Sequence, residues 1–384
     1  MKSMFPVLAS LPLTLAWLPG IDRDIYSAAG TKIFNVTSAS SKRWLPALNK
    51  IRGVNLGSHF VIEPWMANTA GTNMGCGGQK SDLCGHWGSW ITQDDISLIV
   101  QYGLNTIRIP VGYWLKEDLV YADSEHFPKE GMKYLEDDCG WASDAGMYII
   151  LDLHGAPGPP GAQEPEQPFT GQYASTPGFY QSYQYDRALE FLEWMTRNIH
   201  QNNKSRNVGM LEIVNEPVQN PGQVSSMISS YYPNAFARIR NTESSLGITS
   251  NNYLHIQMMN EKWGSGDPTE SLTDNYFAAY DDHRYVKYDS SIAVDKESYI
   301  SASCADDRGG NWPTIHTADW EPSSNTDFYA RWFAAQAIAY EGQDGWVFWS
   351  WKEELGDYRW SYVDAVDAGV IPKDLDSIYD NSPC

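Results

Sequence analysis

Cysteine is scarce in this 384-residue chain, with five in all, and neither a CxxC nor an HExxH pattern is present. The eight histidines are scattered. No metal-binding spacing can be recognised, so neither a metal centre nor any other cofactor is expected. Positive charge is also short: 27 Lys and Arg stand against 48 Asp and Glu, a net charge of −21. That excess of acid argues against nucleic acid or anionic lipid as a partner and suits mildly acidic surroundings. After the N-terminus no apolar run is long enough to cross a membrane. Internal repeats, low-complexity tracts and dividing linkers are missing as well, which leaves one large domain.

The N-terminus carries a single lysine and then Met4-Phe5-Pro6-Val7-Leu8-Ala9-Ser10-Leu11-Pro12-Leu13-Thr14-Leu15-Ala16. A short positive region, an apolar region and a small residue before Trp17 match a cleavable secretory signal over residues 1–16. The mature domain would then be 17–384, secreted and extracellular. Two sequons, Asn35-Val36-Thr37 and Asn203-Lys204-Ser205, fit N-glycosylation on that route. Cys76, Cys84, Cys139, Cys304 and Cys384 are an odd set, so at most two disulfides form. Cys76 and Cys84 are close enough in sequence to pair, but connectivity stays open. A monomer is the default expectation. Aromatic residues are abundant, with 16 Trp, 23 Tyr and 12 Phe. They suit both a Trp-rich core and a cleft in which sugar faces stack on rings.

Short apolar runs alternate with helix-like segments, the pattern of an α/β domain with a parallel sheet. The strand candidates are 51–56, 105–110, 147–152, 210–214, 253–258, 278–283, a segment beginning at Pro313-Thr314-Ile315, and 346–349. Helices are expected over 92–102, with Thr92 as N-cap and acidic residues in the first turn, over 131–146, and over 186–200. Periodicity alone leaves a doubly wound sheet open, but eight strands separated by helices favour a closed (β/α)8 TIM barrel.

Polar residues recur where these strands end: Arg108, His154, Asn215 and Glu216, His283 and Tyr285, and Trp349. Singly, Arg108 reads as a structural ion-pair residue, His154 as a core imidazole and Trp349 as packing. Their shared place at one rim, where barrel active sites lie, points instead to donors, an imidazole and an aromatic floor around Glu216. Such a rim without a metal suggests hydrolysis of a glycosidic bond, which uses two carboxyl groups, about 5–5.5 Å apart in retaining enzymes. Glu216 is the expected proton donor, its pKa raised by burial and by a negative partner. Asn215 would bond the sugar 2-hydroxyl, His283 and Tyr285 would orient the carboxylates, and Trp349 would stack beneath the sugar.

Six motifs in order carry a resemblance: Arg52-Gly53-Val54-Asn55-Leu56-Gly57, Asn105-Thr106-Ile107-Arg108-Ile109-Pro110, Asp152-Leu153-His154-Gly155-Ala156-Pro157-Gly158, Asn215-Glu216-Pro217, Asp282-His283-Arg284-Tyr285 and Phe348-Trp349-Ser350-Trp351. Together they resemble glycoside hydrolase family 5, from about residue 17 to residue 375. The resemblance implies a (β/α)8 barrel, a retaining mechanism and Glu216 as acid/base. It also implies that Arg108, His154, Asn215, His283, Tyr285 and Trp349 surround the first sugar subsite. The substrate it implies is a β-glucan polysaccharide, with endo-cleavage of 1,6-linkages as the leading reading. The alternatives are an exo-1,3-β-glucosidase, a disaccharide-releasing β-glucosidase, or a catalytically silent glucan-binding protein.

One departure stands out. The family's nucleophile follows strand seven in a Gly-Glu-Trp-Ser type motif, where this chain reads Ile315-His316-Thr317-Ala318-Asp319-Trp320-Glu321-Pro322. Either Asp319 replaces the glutamate, with Glu321 as a further candidate, or a stretch after Ile315 is absent and Asp319-Trp320 belongs to the next loop. The second alignment is favoured, because residues 319–335 continue in register with the family's approach to the next helix. A second shortfall lies near Cys84-Gly85-His86. Short absences in a well-matched chain suggest coding sequence removed as intron.

Overall fold

The computed structural model describes residues 50–63, 66, 80–121, 123, 125, 127–158, 178–306, 312–313, 320–380 and 382–384, with 80–84 and 312–313 as backbone alone. The expected signal, Asn35, Cys76, Thr314, Ile315 and Asp319 lie outside the described residues.

Period-two patterning builds the barrel. Strands β1 (Ile51–Asn55), β2 (Thr106–Gly112), β3 (Tyr148–Gly155), β4 (Val208–Glu212), β5 (His255–Met259), β6 (Ala278–Asp281) and β9 (Gly345–Phe348) form one parallel sheet, ordered β6-β5-β4-β3-β2-β1-β9. After Asp282 the chain continues as β7 (His283–Arg284), which pairs in parallel with β8 (Trp312–Pro313). β8 also neighbours β9, so it stands in the place of strand seven and brings the curled sheet towards closure. The fold is a single-domain (β/α)8 TIM barrel.

Alternation along each strand sends one set of side chains outward and the other inward. The outward set, such as Ile107, Ile109, Ile149, Leu151, Leu211, Ile256 and Met258, joins the main core under the helices. Inward, an apolar floor of Ile51, Tyr148, Ile150, Met210, Ala279 and Val347 fills the barrel. Further along the strands, the inward positions become polar: Asn55, Arg108, Asp152, Glu212, Gln257 and Asp281 are all buried. Layered filling of this kind is what a barrel interior requires. Here the upper layer carries charge.

Helices α1 (Lys80–Ser89), α2 (Gln93–Gln101), α3 (Met132–Asp144), α4 (Ser182–Gln201), α5 (Pro221–Ser226), α6 (Tyr232–Ser245), α7 (Lys296–Cys304), α8 (Thr326–Glu341) and α9 (Tyr362–Asp367) cover the sheet. Thr92 caps α2 as expected. Its side chain accepts from Asp95 N, and Asp95 accepts from Thr92 N, a capping box. Three expectations need correction. Strand four ends at Glu212, not Val214. Strand six breaks at Asp282, because His283 and Arg284 switch to β8. The crossover from β5 to β6 carries only a 3-10 turn, Glu261–Trp263, so the strands are not all separated by α-helices.

Candidate active site

Glu216 lies four residues beyond β4, on a loop that is fixed at nearly every position. Ile213 N donates to Gln257 O (3.1 Å) and Ile213 O accepts from Tyr231 OH (2.7 Å). Asn215 N donates to Leu153 O (3.1 Å), Trp263 Nε1 to Pro217 O (2.8 Å), and Val218 N to Tyr180 OH (2.9 Å). Held this way, Glu216 takes a left-handed backbone with φ 36° and stays 8% exposed. Left-handed backbone at a non-glycine residue costs of order 1–3 kcal/mol and persists only where the surroundings impose it.

Arg108 is the hub beneath. Fully buried, it donates from Nε and Nη2 to Glu212 Oε2 (2.9 and 2.7 Å), from Nη1 to Asn55 Oδ1 (3.0 Å), and from Nη2 to Asn215 Oδ1 (3.0 Å). Asp152 Oδ2 lies 2.8 Å from Nη2 and also 2.8 Å from His154 Nδ1. His154 stacks on the half-buried ring of Trp349, with centroids 5.5 Å apart and planes 15° apart. His283 Nδ1 meets Glu216 Oε1 at 2.5 Å, and the edge of Trp263 packs on its ring. Arg108, His154, Asn215, Glu216, His283 and Trp349 therefore come together. Tyr285 is half-buried just after β7, its ring centroid 6.2 Å from that of the exposed Tyr288.

Burial drives the ionisation of this cluster. It pushes the Asp152 carboxyl up to about 7 against the pull of Arg108, and Glu212 well above the carboxylate range. His154 is held well below the ordinary imidazole value by burial and by Arg108, so it is neutral, with Nδ1 paired to the Asp152 carboxyl. For His283 burial works downward, but Glu216 and Asp281 override it and push the ring up to about 10. Glu216 differs from expectation. Burial would raise it, yet the charged His283 outweighs burial and holds it below its usual value of 4.5. The raised pKa expected for this residue is therefore not found, because the pull of His283 prevails over burial.

Glu321 does not reach the site. It is exposed at the turn before α8, where its Oε1 accepts from Ser323 Oγ at 3.0 Å. Asn203 is exposed on the 3-10 turn Asn203–Ser205 behind α4. The one disulfide among the described residues joins Cys304 to Cys384, while Cys139 is free and buried. Glu212, Asp281 and His283 bring ligand-type atoms within 4.8 Å of one another. Arg108, Gln257 and Glu216 already engage them, so the grouping is a charge network. Glu212, Gln257 and Asp281 were not singled out from the sequence, and Asn55 and Asp152 entered only as parts of motifs. The available signal was a polar residue in the inward phase of an apolar strand.

A barrel with a strained glutamate, flanking imidazoles and an aromatic platform at its strand ends has the layout of a glycoside hydrolase, and comparison bears on that class directly. The cellulase profile of glycosyl hydrolase family 5 matches residues 67–355. The chain belongs to glycosyl hydrolase family 5. It is 79% identical to glucan endo-1,6-beta-glucosidase B of Emericella nidulans over 412 aligned positions, covering 100% of each chain. It is 61% identical to the probable glucan endo-1,6-beta-glucosidase B of Neosartorya fischeri over 394 positions, 95% of each. Among solved structures it resembles AoRut with a TM-score of 0.62 at 18% identity, over 84% of this chain and 96% of that one, a likeness of fold.

Proposed function

We propose that this protein is a secreted, retaining glycoside hydrolase that cleaves 1,6-linked β-glucan within the polymer, with Glu216 as proton donor. The reading is carried by the Glu216 site inside a chain 79% identical to a protein named for that activity. Asn215, fixed by Arg108, would bond the 2-hydroxyl of the sugar. Trp349, backed by His154, would supply the stacking face. Secretion is supported by the Cys304–Cys384 disulfide, which suits an oxidising compartment, and glycosylation by the exposure of Asn203.

Retention needs a second carboxyl to attack the anomeric carbon. The buried carboxyls under the site, Asp152, Glu212 and Asp281, are fully covered and committed to Arg108, His154, Gln257 and His283. The family resemblance puts the nucleophile after β8, and the favoured reading is that the stretch carrying it is absent from these 384 residues, with Asp319 as the alternative. The alignment with the Emericella protein runs over 412 positions, so part of that relative has no counterpart here. The low pKa of Glu216 follows, since a neighbouring nucleophile would push it up towards a proton donor's range. Sequencing of transcripts across Ile315–His316 tests the point. An extra in-frame segment is expected there, and a transcript with the present junction would leave Asp319 as the carboxyl to test by Asp319→Asn.

The experiment for function compares release of reducing ends from a 1,6-β-glucan by the chain, by its Glu216→Gln variant, and by a chain with the strand-seven segment restored. Restoration should raise cleavage by several orders of magnitude, and Glu216→Gln in the restored chain should abolish it. Glucan binding without cleavage by the restored chain would favour the silent binding protein instead.

A further inference from the structure

Asp281 closes the polar layer on β6, under the ring of His283 two residues on. Its Oδ2 accepts from Gln257 Nε2 at 2.5 Å and lies 3.6 Å from His283 Nε2. The other ring nitrogen, Nδ1, is the one that meets Glu216 Oε1. A line therefore runs from β5 through Asp281 and His283 into the carboxyl of Glu216. None of its four residues is more than 8% exposed. At 3.6 Å the Asp281–His283 contact is too long for a hydrogen bond, so the coupling is Coulombic. Exclusion of water strengthens it relative to a surface pair.

We propose that Asp281 is a positioning residue for the reaction: acting through His283, it keeps the imidazole charged with Nδ1–H aimed at Glu216, and so fixes the charge and orientation of that carboxyl. Its catalytic meaning rests on Glu216 as acid/base, whereas the coupling stands by itself. Other groups also face His283. Glu216 comes from the loop after β4, Glu212 from β4, and Asp152 and His154 from β3, with Arg108 of β2 between them. Burial opposes a charge on the ring. Glu216 and Asp281 are the carboxyls that reverse it. Gln257 holds Asp281 in place from the neighbouring strand, which pairs residue by residue with β6 (Gln257 opposite Ala279, Met259 opposite Asp281).

The test is an NMR titration of the full chain labelled with 15N in its histidine rings, with His283 assigned through His283→Gln. The parent ring should stay protonated past neutrality. In Asp281→Asn its midpoint should fall by about one pH unit or more, a tenfold loss of proton affinity. In Glu216→Gln the midpoint should remain above about 6.5, the ordinary imidazole value, because Asp281 is still present. A folded Asp281→Asn protein that titrates like the parent overturns the proposal, since a purely structural aspartate would change stability and leave the midpoint alone. If Asp281→Asn does not fold, Glu216→Gln decides, and a midpoint at or below 6.5 there overturns it too. Binding of a 1,6-β-glucan by the same samples is read separately. Failure to bind with the titrations as expected would remove the functional reading and leave the role of Asp281 intact.

Discussion

Arg108 meets four acceptor residues at once, Asn55, Asp152, Glu212 and Asn215, and no water reaches it. Truncating one partner of a buried charge set leaves the others without compensation, so Arg108→Ala should cost about 3–5 kcal/mol. Arg108→Lys should recover little of it, because a single ammonium cannot reproduce the planar fork of donors. Denaturant midpoints of the two variants beside the parent check this, and a lysine variant as stable as the parent would count against the hub. Much of this cluster was legible in the sequence. Arg108, His154, Asn215 and His283 stand at strand ends, where a rim residue can be recognised. Asp152, Glu212 and Asp281 were harder to read, since they matter only when they point inward, and the phase of a strand is settled by its register with its neighbours. The lowered pKa of Glu216 was not legible at all, because it depends on the distance to a histidine 67 residues away.

At the scale of elements, the sequence announced most strands with apolar runs and marked the seventh only by where it begins, at Pro313. Among the described residues β8 spans Trp312–Pro313 and pairs with the short extension of β6. The helix-free crossover before β6 was likewise unreadable, because residues 260–277 carry no periodic apolar pattern to mark its absence. The disulfide is a third case, since separation along the chain says nothing of proximity in space. Cys304 ends α7, and Cys384 is the last residue, 80 positions on. This link fastens the tail onto the helix that precedes β8. Cross-linking so long a loop stabilises a fold by roughly 2–5 kcal/mol. Cys304→Ser should lower the melting temperature of the oxidised protein and reduce the drop that reductant causes. Cys139→Ser serves as the control, and an unchanged melting temperature in Cys304→Ser would show the link to be idle.

For the molecule as a whole, the titrating groups pull stability towards acid. Asp152 keeps a proton in the fold up to about 7 that the unfolded chain gives up near 3.8, so stability falls as pH rises across that range. The raised value of His283 contributes stability that is complete below 6.5 and is lost as pH rises through about 10. Glu216 acts in the opposite sense, its contribution being present above 4.5 and lost as pH drops through its lowered value. The net charge of −21 adds self-repulsion at higher pH. The melting temperature should therefore be higher at about pH 5 than at about pH 8, and the reverse order would mean that the buried cluster is ionised otherwise. The acidic balance, the single-domain barrel and the Glu216 loop could all be read from composition and motif order. The polar layer that sets these proton affinities could not. The most direct measurement is release of reducing ends from a 1,6-β-glucan by the chain with its strand-seven segment restored, beside the same chain carrying Glu216→Gln. Cleavage that disappears in the variant is the expected result. A folded, restored chain that leaves the glucan intact, or a variant that still cleaves it, would contradict the account.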